Sequence, residues 1–141
     1  MNYLRIVIAG FAGTVAYFVV GGLLFGVMPQ LRNEFRKYPG VYRDQDGIRS
    51  VMPLGMAAML LSILVLAAIY SLAYRGGSGL AEGARFGLLV GLFAFGAFVI
   101  HNYVNLNIGL GITGQQAVAY LFEWLVVGIV IGLVYRPSAL W

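Results

Sequence analysis

The chain has no cysteine. That absence removes disulfides, thiolate metal sites, iron–sulfur clusters, cysteine nucleophiles and cysteine-linked lipid anchors together. Charge is nearly as scarce. Asp, Glu, Lys and Arg make up 10% of the 141 residues, against about 25% in an ordinary soluble domain, so a soluble helical protein is not expected. There is one histidine, and no phosphate loop or nucleotide fingerprint is present. What the chain holds instead is hydrophobic side chains, at 61% of the sequence.

The few charges lie between apolar runs. Net charge is +4, with the basic residues at the ends of those runs, where Arg and Lys meet lipid headgroups. No basic stripe is interleaved with aromatics, so the expected partner is the lipid bilayer and not nucleic acid.

Four apolar stretches, at about residues 6–28, 51–74, 83–104 and 116–135, predict an all-α membrane protein. The expected architecture is a bundle of four transmembrane helices, one integral membrane domain over residues 1–141. A polar, partly interfacial loop joins the first two. The first stretch would be about 34 Å long at ~1.5 Å per residue, enough for a hydrocarbon core of about 30 Å. It is too long for a signal-peptide core, and Pro29-Gln30-Leu31 is no cleavage site, so it is expected to be retained.

The polar segment 29–50 sets Arg32, Arg36, Lys37, Arg43 and Arg49 against Glu34, Asp44 and Asp46. Leu31 and Phe35, four apart, predict a short interfacial helix, and Pro39-Gly40 a turn. Asp44-Gln45-Asp46-Gly47 begins like a calcium loop but lacks the third acidic position and the closing Glu, so a solvated turn is the better reading. Pro53 suits the first turn of the second span. Arg75-Gly76-Gly77-Ser78-Gly79 reads as a flexible connection. Gly109, Gly111 and Gly114 predict a bend over 108–114 between the last two spans. Arg136 and Pro137 close the fourth. An even number of spans puts both termini on one side. Basic residues divide almost evenly between the two sides; the later spans, with Arg75, Arg85 and Arg136 at the terminal side and none in the 3–4 loop, place the termini in the cytoplasm.

Small residues recur at four-residue spacing: Ala9/Gly13 and Gly22/Gly26 in the first span, Gly83/Gly87/Gly91 in the third, Gly128/Gly132 in the fourth. That spacing puts each set on one helix face, and in lipid it is close backbone approach that holds helices together. Two uses stand open: packing inside the bundle, or a stripe facing outward to dock a second copy or another membrane subunit.

The one polar cluster of note is in the second half. The third span ends His101-Asn102-Tyr103-Val104-Asn105, and the fourth carries Glu123, the one acid well inside an apolar run. In an antiparallel hairpin His101 and Glu123 would sit at similar depth. His101 and Asn105 share a face, as do Tyr120 and Glu123, and Gln115 and Gln116 add amides near the mouth. A charged acid at the bilayer centre costs about 2.5–3.5 kcal/mol on insertion scales. Glu123 is therefore expected to face inward, either protonated or bonded to His101 or an Asn. His101, Asn102, Asn105, Tyr120 and Glu123 are the candidate ligand site, with a structural clasp of the hairpin as the competing reading. No nucleophile or oxyanion donor stands beside them, so the expectation is a non-catalytic protein with no cofactor and no metal.

Residues 81–135 resemble a class of small four-span bacterial membrane proteins grouped as uncharacterised domains of unknown function. The resemblance rests on Gly87 and Gly91, the helix end with Asn102 and Asn105, the Glu123-Trp124 pair, and Gly128. It implies a four-helix fold and a bacterial inner membrane, and it assigns no role to any residue; His101 departs from the usual neutral or acidic residue. Two functions follow as expectations. One is a subunit or homo-oligomer assembled through glycine-rich helix faces. The other is a carrier or sensor of a small ligand, ion or lipid at the His/Asn/Glu cluster.

Overall fold

A computed structural model describes residues 2–136. Every element among them is helical. Helix α1 (Tyr3–Val27) starts at Asn2, whose side-chain carbonyl accepts the Arg5 N–H at 3.1 Å, a normal N-cap. A short helix α2 (Pro29–Arg36) follows, with Pro29 at its first position, where the missing N–H costs nothing. Next come α3 (Gln45–Ala73) and α4 (Gly79–Ala94). A π-helical turn (Phe95–Ile100) continues α4 into the short α5 (His101–Asn105), and α6 (Leu110–Tyr135) ends the fold. Four rods, Tyr3–Val27, Gln45–Ala73, Gly79–Asn105 and Leu110–Tyr135, are long and apolar enough to cross a membrane.

Helix α6 is the centre, with α4 on one flank and α1 on the other, and α3 lies on α1. The α4–α6 contact is a ladder of bare backbone. A Cβ on Gly79, Gly83 or Gly87 would fall 2.4, 2.5 or 2.4 Å from the carbonyl oxygens of Gly132, Gly128 and Trp124 respectively. Each step of four along α4 descends four along α6, an antiparallel register that only small residues allow. Gly13 of α1 likewise sits against Ile63 of α3 and Ile131 of α6, and Gly10 against Leu64. Ile63, Ala67, Tyr70, Val127, Ile131 and Tyr135 fill the core beside these contacts. It lies toward the end that carries Tyr3, the α3–α4 connection and Tyr135.

At the opposite end the polar segment folds back over the start of α6. The Tyr38 hydroxyl accepts the Gly109 N–H at 2.9 Å, and the Phe35 ring packs on Phe25 and Tyr42. Lys37 donates to Glu34, and that carboxylate holds the ammonium group above its ordinary range.

Several expectations are corrected. Glycines 22 and 26 pack against nothing within 4 Å, so this stripe plays no part in the chain's own packing. Helix α3 starts at Gln45, earlier than the apolar pattern shows, because the Asp44 carboxylate accepts the Gly47 N–H at 2.8 Å and caps it. The supposed solvated turn is thus a helix start, and Pro53 lies inside the helix. The bend over 108–114 shrinks to residues 106–109: Gly111 and Gly114 are helical, with the Thr113 hydroxyl donating to the Gly109 carbonyl at 3.0 Å. Pro137 lies outside the described residues.

Candidate functional site

Glu123 lies near the middle of α6 and is 8% exposed. It is turned toward α1: a Cβ on Gly21 would fall 2.7 Å from its Oε1. The absence of a side chain at Gly21 therefore makes room for the carboxyl group. Val27 ends α1 six residues beyond Gly21, so the carboxyl group sits roughly 9 Å below that helix end at ~1.5 Å per residue. Among the described residues no hydrogen bond reaches it.

What surrounds the carboxyl group is tyrosine and amide. Gln116, Tyr120 and Glu123 are spaced four and three apart and share one face of α6. Tyr120 stands one turn before Glu123 on α6, and Tyr17 stands one turn before Gly21 on α1. Above them the Gln116 Nε2 donates to the Tyr42 hydroxyl at 3.4 Å, and Gln116 Oε1 is buried with no partner among the described residues. A polar track thus runs from the folded-back segment, through Tyr42, Gln116 and Tyr120, down to Glu123. Tyr17 closes the far side, its ring 5.4 Å from that of Trp124. This arrangement offers one carboxylate, several hydroxyls and an amide oxygen, all oxygen ligands. Among the described residues no three His, Asp or Glu side chains gather as a metal centre.

His101, Asn102 and Asn105 do not join this group. His101 and Asn105 are exposed, and the Asn105 amide donates to the His101 carbonyl at 3.0 Å, a local bond at the helix end. The predicted pairing of His101 with Glu123 is absent, first because the bend falls at residues 106–109: the register that sets Gly87 on Trp124 leaves Glu123 at the depth of Gly87 and His101 beside the start of α6. The face differs as well. An unbroken α-helix would carry the buried line Gly83, Gly87, Gly91, Ala94 on to Phe98 and His101. The π turn inserts an extra residue, so Val99 takes the buried place and His101 turns outward. Of the sequence-predicted cluster, Tyr120 and Glu123 stay together.

Tyr17, Gly21 and Tyr42 complete the site and were not anticipated. Gly21 could have been found as one of two adjacent glycines, but the four-residue spacing drew attention to Gly22. Nothing in the pattern marks Tyr17 or Tyr42 among nine tyrosines. No family model, curated protein or solved structure matches this chain.

Proposed function

We propose that this protein is an integral membrane protein that holds a small cation, the proton included, at Glu123, and so serves as a carrier or sensor rather than an enzyme. The observation that carries the reading is a carboxyl group buried within a helix of membrane-crossing length, without a hydrogen-bond donor among the described residues, at the foot of a track of hydroxyl and amide groups. An acid so placed is costly in a bilayer unless it is protonated or holds a positive partner. In this reading the four long helices cross a bacterial inner membrane, and the folded-back segment covers the mouth of the track. The termini face the cytoplasm, supported by Arg75 and Arg85 at that end and by the lack of basic residues between α5 and α6.

A hydrophobic carbodiimide tests the site, because it modifies a carboxyl group only where that group is protonated and lies in an apolar setting. The protein in liposomes should be labelled at Glu123, and added Na⁺, K⁺ or Mg²⁺ should slow the labelling if that ion competes with the proton. Labelling absent at every pH would contradict the proposal.

A subunit or homo-oligomer is the second reading. It is favoured by the first half of α3, exposed throughout residues 48–58, together with the uncovered Gly22 and Gly26. Native mass spectrometry after mild extraction tests it: a defined oligomer or a stoichiometric second polypeptide supports it, and a monomer opposes it.

A further inference from the structure

Helix α4 turns its glycine face to α6: a Cβ on Gly83 or Gly87 would meet the α6 backbone. Arg85 lies midway between those glycines in sequence. At ~3.6 residues per turn it is rotated about 200° from Gly83 and faces away from α6. It is exposed, and it stands inside α4, which starts at Gly79, about 9 Å along the rod at ~1.5 Å per residue. Leu88, Leu89 and Leu92 continue the same face and are exposed as well. The outward face of α4 is thus a guanidinium with an apolar stripe beneath it.

Two more arginines stand at this end of the bundle. Arg75 belongs to the α3–α4 connection. Arg136 caps α6 one turn beyond Gly132, whose carbonyl oxygen lies against Gly79. Both are exposed. The acidic side chain at this end, Glu82, is already engaged: its Oε2 accepts the Arg75 N–H at 3.1 Å and its Oε1 the Gly77 N–H at 2.8 Å. Those bonds also fix where Arg75 sits. Glu82 and Arg85 are three apart and share a side of α4, so the connection is drawn over that side, with Arg75 beyond Arg85 toward the water.

Among the described residues no ion pair satisfies Arg75, Arg85 or Arg136. The opposite end differs, with Lys37 on Glu34 and Arg49 on Asp46. In water an exposed arginine needs no partner. On the lipid-facing side of a membrane helix it does, because a lone charge there is costly. Its long stem lifts the guanidinium toward the headgroups, where its paired N–H groups match two phosphate oxygens.

We propose that Arg85, together with Arg75 and Arg136, holds the phosphate of an anionic phospholipid whose acyl chain lies along Leu88, Leu89 and Leu92. The apolar stripe directly beneath the cation selects a lipid over free phosphate. Three arginines against one engaged carboxylate select an anionic headgroup over a zwitterionic one. This inference rests on the membrane reading of the four long helices and is independent of the cation site at Glu123.

The test is native mass spectrometry of the full chain in detergent, titrated with phosphatidylglycerol or with phosphatidylcholine. Circular dichroism and monodispersity select the variants that fold. The wild type should hold one phosphatidylglycerol about tenfold more tightly than phosphatidylcholine, and Arg85→Gln should remove about that factor, in line with one charged hydrogen-bonded contact. Arg43→Gln, which alters an exposed arginine at the opposite end, should leave binding unchanged. Wild-type binding by folded Arg85→Gln, or equal affinity for the two lipids, would overturn the proposal. So would glycerol phosphate competing as well as the intact lipid. Flotation with liposomes separates this site from the reading beneath it. A chain that floats with neither lipid contradicts the membrane reading itself, whereas one that floats with both and shows no preference in the titration contradicts this site alone.

Discussion

Two glycines of the same chain make opposite predictions, because what surrounds a residue decides its tolerance. Gly87 faces the Trp124 carbonyl at a distance no Cβ tolerates, while Gly22 faces open space. Gly87→Val should destabilise the protein by about 3 kcal/mol, since neither backbone can retreat without breaking the ladder. Gly22→Ala should fall within about 1 kcal/mol of the wild type, on the stabilising side through helix propensity. Unfolding in mixed micelles checks both. Lys37 gives a prediction in pH. Its ammonium is held above its ordinary value of 10.5 by Glu34, so the contact is complete below that value and is lost as pH rises through the shifted one. Lys37 is exposed and lies with half-buried Glu34 outside the bundle core, so the effect should be confined to α2, seen as faster amide exchange there in alkaline solution and no change in the core. At this scale the sequence was informative where one residue type decides. Gly83, Gly87 and Gly128 were legible because no other residue serves. Gly21 was not, because its role depends on a carboxyl group 102 positions away in the chain.

The elements show where pattern reading stops. Four long apolar runs could be read from composition, and all four are helices. Their ends could not, because capping chemistry and hydropathy obey different residues. Asp44 starts α3 within a segment that reads as polar loop. Removing that cap with Asp44→Ala should cost about 1 kcal/mol. Hydrogen exchange should quicken over residues 45–52 and not beyond, since Pro53 already interrupts the hydrogen-bond ladder. The π turn is the larger omission. It leaves no mark on hydropathy, yet it decides which face His101 occupies. Deleting Gly96, which has open space around it, should restore the α register and rotate the following residues by about 100°. The native chain lacks cysteine, so a single His101→Cys reports this cleanly. Labelling by a water-soluble maleimide should fall in the deletion variant and stay high without the deletion, where residue 101 is exposed.

For the whole molecule, a tightly held trio is set against a loosely held fourth helix. Backbone contact through glycine joins α4 to α6, and close packing at Gly10 and Gly13 joins α1 to its neighbours. Helix α3 is held mainly at its C-terminal half, and a cleft toward α4 opens along it from Met59 to Leu66. The folded-back segment covers the opposite end and leads to Glu123. Glu123 and Trp124 are consecutive on α6, about 100° apart, so the polar site and the cleft against α4 lie side by side and share Tyr120. Their common dependence on α6 explains why the sequence showed half of the polar site: the α6 contributions are local in sequence and could be read together. Those from α1 and from the segment after α2 arrive through tertiary packing.

The account rests on Glu123 being a binding group and not a clasp, and thermal unfolding of wild type and Glu123→Gln in matched series of pH, Na⁺, K⁺ and Mg²⁺ addresses that directly. A ligand held by the native state alone raises stability by about 2.7 kcal/mol at a hundredfold excess over its dissociation constant. The prediction is that one cation, or the proton, raises the wild-type unfolding temperature in a saturable way, that Glu123→Gln shows no such rise, and that without the ion the variant is at least as stable as the wild type. A variant less stable under every condition, beside a wild type that responds to none of the ions, would contradict it.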